Sequence, residues 1–193
     1  LGLLNMVDRY DKTEQDYHEN TLDDNEKRAF ELSQVSKISE EKPNLLPYKH
    51  LVTLAQSKTN LNEIIEALER SGEVKDIDEN KLEDRVKCIK QWIQNYAPES
   101  VVFEIQKEKP KIEFDDLQKK CIKLLIEKMK EVEWSPEGIH NSFYELQEQN
   151  EIPAKNFFKI MYNVLLNKER GPRLGFFLAT MSKEFIIERL ESY

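Results

Sequence analysis

The amino-acid sequence predicts an all-α protein, in which a helix bundle is followed by a compact cage of helices. Glycine and proline, which sheets and tight turns use heavily, supply only 5 and 7 of the 193 residues, about half their usual share. Hydrophobic residues make up 39% of the chain and recur at spacings of three and four, the period of an amphipathic helix. Only the short run Ser100–Ile105 is a candidate strand.

Three segments carry their hydrophobic residues along one helical face, which predicts that each packs against a core. The three stripes are Val86, Ile89, Ile93 and Tyr96; Leu117, Cys121, Leu125, Met129 and Val132; and Phe157, Met161, Val164 and Leu165. Ile122 and Ile126 widen the second stripe, so we expect its helix to be covered on more than one side. Cys88 is expected within the first stripe.

The predicted helix starts carry residues that satisfy or dispense with the free N–H groups of a first turn. Asn60 followed by Glu63 predicts a capping box, and Ser182 predicts an N-cap near the end of the chain. The remaining starts are predicted at Asp23-Asp24, Asp115-Asp116 and Ser135-Pro136-Glu137, and with a first-turn proline at Pro47 and Pro153. Gly72 is expected to end the helix that begins after Asn60.

One segment, Gln106–Lys111, has the composition of a linker, because it is charged and broken by Pro110. We therefore expect two helical units. Residues 1–110 would form the bundle, and residues 111–193 would form the compact C-terminal domain.

Charge and cysteine usage exclude several classes of protein. The 29 basic and 37 acidic residues leave a net charge of −8, which argues against nonspecific binding of DNA or RNA by the whole chain. No apolar run approaches the roughly 18 residues of a membrane span, and the first ten residues do not resemble a signal peptide. Two distant cysteines and three scattered histidines predict neither a zinc site nor a disulfide framework, and they suit a reducing cytosol.

Motifs that assemble an active site are absent from the sequence. It contains no Gly-x-Gly-x-x-Gly, phosphate loop, His-Glu-x-x-His or Gly-x-Ser-x-Gly pattern. The acid pairs Asp23-Asp24 and Asp115-Asp116 suit helix caps better than catalysis, and His50 is interpreted as a packing residue. We expect this chain, taken alone, not to be catalytic and to hold no metal or cofactor.

A stretch of interleaved basic and aromatic residues, Pro153–Gly175, is the strongest functional signal. Five cations stand there against the single Glu169, a net charge of +4 in an otherwise acidic chain. The cations are Lys155, Lys159, Lys168, Arg170 and Arg173, and the rings are Phe157, Phe158 and Tyr162, with Phe176 and Phe177 just beyond. Cations beside planar rings suit single-stranded RNA, whose phosphates take the charge and whose bases stack. The same residues equally suit a helix core followed by an ordinary Gly171-Pro172 helix stop.

Six short motifs follow one another in order along the chain: Tyr10-Asp11-x-x-Glu14, Phe30-Glu31-Leu32-Ser33, Pro47-Tyr48-Lys49-His50-Leu51, Arg85 with Trp92, Tyr96-Ala97-Pro98-Glu99, and Leu165–Leu178. This ordered set, spread over nearly all 193 residues, resembles the region after the catalytic core in class I lysyl-tRNA synthetases. Its last motif also resembles, more loosely, the corresponding turn of glutamyl-tRNA synthetases. The chain departs from the family pattern at Asn167, where glycine is usual, and at Met181-Ser182, where Leu-Gly is usual.

The resemblance implies an all-helical, C-terminal tRNA-recognition fragment whose compact cage binds the anticodon. The implied contact residues are Lys168, Arg170, Gly171, Pro172, Arg173, Leu174, Phe176 and Phe177, supported by Lys155, Lys159 and Tyr162. A glycine in the turn would let RNA approach the backbone, and one of the two phenylalanine rings would face a base. The family's His-Ile-Gly-His-like and Lys-Met-Ser-Lys-Ser-like catalytic motifs are not in this sequence.

By the same resemblance, the complete enzyme would activate lysine with ATP and Mg²⁺ and esterify it to tRNA in the cytoplasm. The partners implied for this chain are the tRNA anticodon loop and its own catalytic domain, with no membrane and no DNA. Two alternatives stay open: the anticodon-binding region of a glutamyl-tRNA synthetase, and a helical protein–protein interaction domain without enzymatic activity.

Overall fold

The computed structural model describes residues 2–40, 42, 46–71 and 78–193, and within these ranges it contains ten α-helices. The helices are α1 (Gly2–His18), α2 (Asp24–Ser33), α3 (Tyr48–Ser57), α4 (Leu61–Ser71), α5 (Glu79–Asn95), α6 (Asp116–Glu131), α7 (Pro136–Asn150), α8 (Ala154–Leu166), α9 (Leu174–Ala179) and α10 (Lys183–Glu191). The described ranges contain no strand, so the all-α prediction is confirmed.

The candidate strand Ser100–Ile105 is wrong, because this segment is irregular. Its backbone is held by side chains rather than by a neighbouring strand. The N–H of Phe103 donates to Gln56 Oε1 at 2.9 Å, and the amide of Gln56 donates to the carbonyl of Val101 at 3.3 Å.

An N-terminal core lies among α1, α3, α4 and α5. Its fully buried members include Leu51, Leu54, Ile64, Leu68 and Ile89. The α1–α2 hairpin is joined to this unit by an ion pair in which the Arg85 guanidinium donates two hydrogen bonds to the buried carboxylate of Asp11.

A C-terminal core lies among α6, α7, α8, α9 and α10. Leu125, Phe143, Phe157 and Phe177 are fully buried within it. Helices α7 and α9 cross closely at Gly175, where a Cβ atom would come within 2.4 Å of the Pro136 carbonyl oxygen. Any side chain at this position would force the two helices apart.

The predicted linker crosses the surface of the C-terminal core. Phe103 and Phe114, on either side of it, are both buried in that core. The buried Arg189 guanidinium donates to the carbonyls of Gln106 and Val164, at 2.7 and 3.0 Å. The segment is therefore packed and hydrogen-bonded, and the domain boundary at residue 110 stays a prediction.

Most predicted helix starts are confirmed. Side chains of Asp23, Asn60, Asp115, Ser135 and Ser182 each accept a hydrogen bond from the backbone N–H three residues later. Pro47 and Pro153 precede the first helical residue instead of occupying the first turn. The stop predicted at Gly72 lies outside the described residues.

Three members of the predicted stripes are exposed. Tyr96 is 79% exposed because it follows the last residue of α5 and leaves the helical path. Cys88 is exposed because it lies two positions after Val86, on the opposite side of the helix. Leu117, in the first turn of α6, is 48% exposed.

Candidate nucleic-acid interface

A cleft of about 450 Å³ opens between the N-terminal and C-terminal cores. Three segments form its main walls: residues 47–56 around α3, the irregular segment 100–103, and the turn 168–173 that joins α8 to α9. Leu4 of α1 also lines it. These segments are far apart in the sequence, and the contact between the two cores brings them together.

The cleft is positively charged. Among the described residues that line it, Lys49, Lys168, Arg170 and Arg173 are cationic and none is a carboxylate. Lys49 is partly neutralised from outside the cleft by Asp8, with Nζ and Oδ2 3.4 Å apart. In a protein of net charge −8, this concentration of cations gives the cleft a local attraction for anions.

Arg170 and Arg173 are the two available cations of the turn. Both side chains are exposed, and neither guanidinium makes a hydrogen bond or an ion pair with another residue in the described part of the chain. Each can therefore offer its planar set of donors to a ligand without breaking an internal contact.

Lys168 has a different role from the two arginines. Its Nζ donates to the carbonyl of Val102 at 2.6 Å and approaches that of Glu99 at 3.5 Å. Together with Gln56, it holds the 99–103 segment in place as one wall of the cleft. The ammonium adds positive charge, and up to two of its three N–H donors are engaged by these carbonyls.

The Gly171-Pro172 turn packs on Tyr162 of α8. The Tyr162 hydroxyl donates to the Pro172 carbonyl at 2.6 Å, and burial raises the pKa of this phenol. A Cβ atom on Gly171 would lie 2.8 Å from Cδ1 and Cε1 of the Tyr162 ring. The glycine is thus required for packing against α8, and the expectation that it also lets RNA approach the backbone stays a prediction.

Helix α8 ends at Asn167, whose backbone is left-handed with φ of 52°. This is the position where the family pattern has glycine, the residue that adopts this conformation most easily. Asparagine also tolerates it, so the departure in sequence leaves the helix end intact.

The expectation that Phe176 or Phe177 faces a base is wrong for this structure. Phe176 is 2% exposed and Phe177 is fully buried, and Leu174 beside them is also buried. The short helix α9 lies between the two cores, so one ring enters each: Phe176 belongs to the N-terminal core and Phe177 to the C-terminal core.

Lys155 and Lys159 are exposed on α8 but are not among the residues that line the cleft. Lys159 pairs with Glu169 at 2.5 Å, and this hydrogen bond is the main reason that the pKa of Glu169 lies below its ordinary value. The structure therefore brings together three of the five predicted cations, and it places the other two outside the cleft.

Sequence reasoning missed the part of the site that α3 contributes. Lys49, His50 and Gln56 all line the cleft. The interpretation of His50 as a packing residue is therefore incomplete, because His50 also borders the cleft. The one sequence signal for Lys49 and His50 was the Pro47–Leu51 motif of the family resemblance, and Gln56 lies outside that motif. Nothing in the local pattern of the three residues distinguishes them from any helix surface.

Among the described residues, no cluster of three or more histidine, cysteine, aspartate or glutamate side chains is arranged to hold a metal ion. Within the same ranges, no helix has both the length and the apolarity needed to cross a bilayer.

Comparison with known families gives a match over most of the chain. The sequence model described as "Anticodon binding domain" matches residues 45–193. The matched region includes all three walls of the cleft.

Curated relatives are similar along the whole chain. It is 33% identical to the lysine–tRNA ligase of Picrophilus torridus over 99% of this chain, 32% identical to that of Thermoplasma acidophilum over 100%, and 34% identical to that of Thermococcus kodakarensis over 98%. The chain spans 38% of the length of each of these relatives. The similarity predicted from the ordered motifs is confirmed.

Proposed function

Because this chain belongs to the anticodon-binding domain family, we propose that it binds the anticodon loop of a tRNA in the cleft between its two cores. One observation carries the proposal: four cations and no carboxylate line the cleft among its described residues. A loop of RNA supplies the complementary negative charge.

Arg170 and Arg173 are the proposed contact residues. Their exposed guanidinium groups can grip phosphates, stack on bases or donate to the acceptor edge of a base. Lys49 and Lys168 add positive charge to the cleft, and Val101 and Val102 are also among its lining residues. The acidic remainder of the chain would repel RNA elsewhere and so favour one orientation of the loop.

We propose that the full-length protein is a lysine–tRNA ligase, as the similar relatives are named. Such an enzyme would activate lysine with ATP and Mg²⁺ in a catalytic domain elsewhere in the polypeptide and then esterify the tRNA. This chain would contribute affinity and discrimination of the anticodon, and the protein would act in the cytoplasm.

The direct test is titration of the 193-residue chain with anticodon stem-loops of the lysine and glutamate types. The control RNA keeps the same stem and carries a different loop. We expect the lysine-type loop to bind more tightly than both others, and binding to weaken as salt rises, with a log–log slope of about 0.7–0.9 per phosphate neutralised.

The other outcomes separate the alternatives. Preference for the glutamate-type loop would assign the chain to a glutamyl-tRNA synthetase. Equal binding of all three RNAs would indicate that the cleft binds anions without recognising the anticodon. Failure of every RNA to bind a folded chain would favour the protein–protein interaction domain.

A further inference from the structure

We propose that Tyr162 is a positioning residue that holds the 170–173 turn in the conformation that presents Arg170 and Arg173 to RNA. This inference rests on the proposed function, and it gives Tyr162 a task other than contact with RNA. Two independent contacts carry it, one polar and one steric.

The polar contact fixes the distal side of the turn. The Tyr162 hydroxyl donates to the Pro172 carbonyl at 2.6 Å, a short and well-formed hydrogen bond. Because Pro172 directly precedes Arg173, this bond fixes the orientation of the peptide plane from which Arg173 departs. The phenol is thereby occupied inside the protein and is not a free donor for a base.

The steric contact fixes the proximal side of the turn. The Tyr162 ring and Leu166 Cδ1 fill the space next to Gly171, where a Cβ atom would meet all of them at 2.8 Å. The turn thus rests on the ring without any intervening side chain. Arg170 directly precedes Gly171, which makes this contact, and Arg173 directly follows Pro172, which accepts the hydrogen bond. The positions of both arginines therefore depend on the Tyr162 side chain.

Tyr162 is a suitable anchor because its own helix is rigid. Neighbouring residues of α8, among them Phe157, Met161 and Leu165, are fully buried in the C-terminal core. A turn held to this helix loses little conformational freedom when RNA binds, since the ordering has already taken place in the free protein. Without the Tyr162 contacts, the turn and its two arginine side chains would become ordered only when RNA binds. That loss of conformational entropy would weaken binding.

The experiment compares Tyr162→Phe with Tyr193→Phe. Tyr193 is a matched control, because its hydroxyl also donates to a proline carbonyl, that of Pro110, at 2.8 Å and outside the cleft. Tyr162→Phe keeps the ring under Gly171 and removes only the hydrogen bond. We expect the lysine-type stem-loop to bind it about 3- to 10-fold more weakly, the range that one hydrogen bond spans, while Tyr193→Phe binds like the wild type.

A second variant, Gly171→Ala, perturbs the steric contact. Alone it should weaken binding, because the new Cβ atom must displace the turn from the ring. Combined with Tyr162→Phe it should cost less than the product of the two single effects, since both act through the same turn conformation. Independent effects would contradict a shared positioning role.

Amide hydrogen exchange supplies a measurement that does not need RNA. Exchange at Phe177, whose N–H donates to the Arg173 carbonyl at 3.0 Å, should accelerate in Tyr162→Phe and stay unchanged in Tyr193→Phe. Unchanged exchange, or equal loss of affinity in the two tyrosine variants, would overturn the positioning role alone. Absence of binding by the wild-type chain would overturn the proposed function and this inference together.

Discussion

The imidazole of His50 lies parallel to the ring of Phe176, with centroids 3.9 Å apart and planes inclined by 12°. His50 belongs to α3, and Phe176 belongs to α9, which otherwise packs in the C-terminal core. The stack therefore joins the two units at the wall of the cleft. It also explains why this ring, although it follows the basic turn directly in sequence, is closed to RNA.

The stack should contribute to stability. Removing it with Phe176→Leu, which keeps most of the buried volume, should lower the free energy of unfolding, and a double-mutant cycle with His50→Ala should give a coupling of about 0.5–1.5 kcal/mol. Urea denaturation of the four proteins measures it. Additive losses would show that the two rings touch without an energetic link.

Arg173 should contribute to binding and not to folding. Arg173→Ala is expected to weaken binding of the lysine-type stem-loop by about 1–3 kcal/mol, because its guanidinium has no internal partner among the described residues. Arg28→Ala is the control, since Arg28 is an exposed arginine on α2 that pairs with Glu31 of its own helix and does not line the cleft. Equal affinities of the two variants would remove Arg173 from the site.

Glu169 should oppose RNA binding. Its carboxylate neutralises Lys159 next to the turn, so Glu169→Gln should increase affinity and steepen the salt dependence by up to about one in slope. Glu83→Gln removes the nearer of the two carboxylate partners of an exposed lysine on α5, Lys87, which keeps Asp84 at 3.9 Å, and should leave affinity unchanged. A gain of the same size in both variants would indicate a general charge effect and not a local one.

Alkaline titration should reveal three buried or partly buried tyrosines. Burial raises the pKa of Tyr48, Tyr162 and Tyr193 above 10, so these phenols should ionise late in absorbance measurements at high pH. In Tyr162→Phe only two phenols should ionise late, whereas in Tyr96→Phe, which replaces an exposed tyrosine, all three should still do so.

The same pKa shifts have a consequence for stability. The folded chain holds these phenolic protons more tightly than the unfolded chain. Their contribution to the free energy of unfolding therefore has its full value below pH 10 and decreases as the pH rises through the pKa values of the folded chain. The advantage of the wild type over Tyr162→Phe in urea denaturation should therefore shrink at alkaline pH. A constant advantage would place the phenol in a solvated environment.

Helix boundaries were predictable because the signals for them are local. A cap such as Asp115 satisfies N–H groups within three residues of itself, and the spacing of Phe157, Met161 and Leu165 defines a buried face without reference to a partner. Tyr96 shows the limit of such reasoning: its spacing continued the stripe of α5, but the helix ended one residue earlier.

Local sequence pattern is sufficient to predict a helical fold, the start of most helices, and a basic Gly-Pro turn as the candidate contact site. Tertiary structure alone decided that this turn faces Lys49 and Gln56 across a cleft. It also decided that Lys168 is engaged by carbonyls and that Phe176 is buried against His50. The physical reason is that caps and helical periodicity act between residues a few positions apart, whereas exposure and pairing depend on which distant surfaces the two cores bring together.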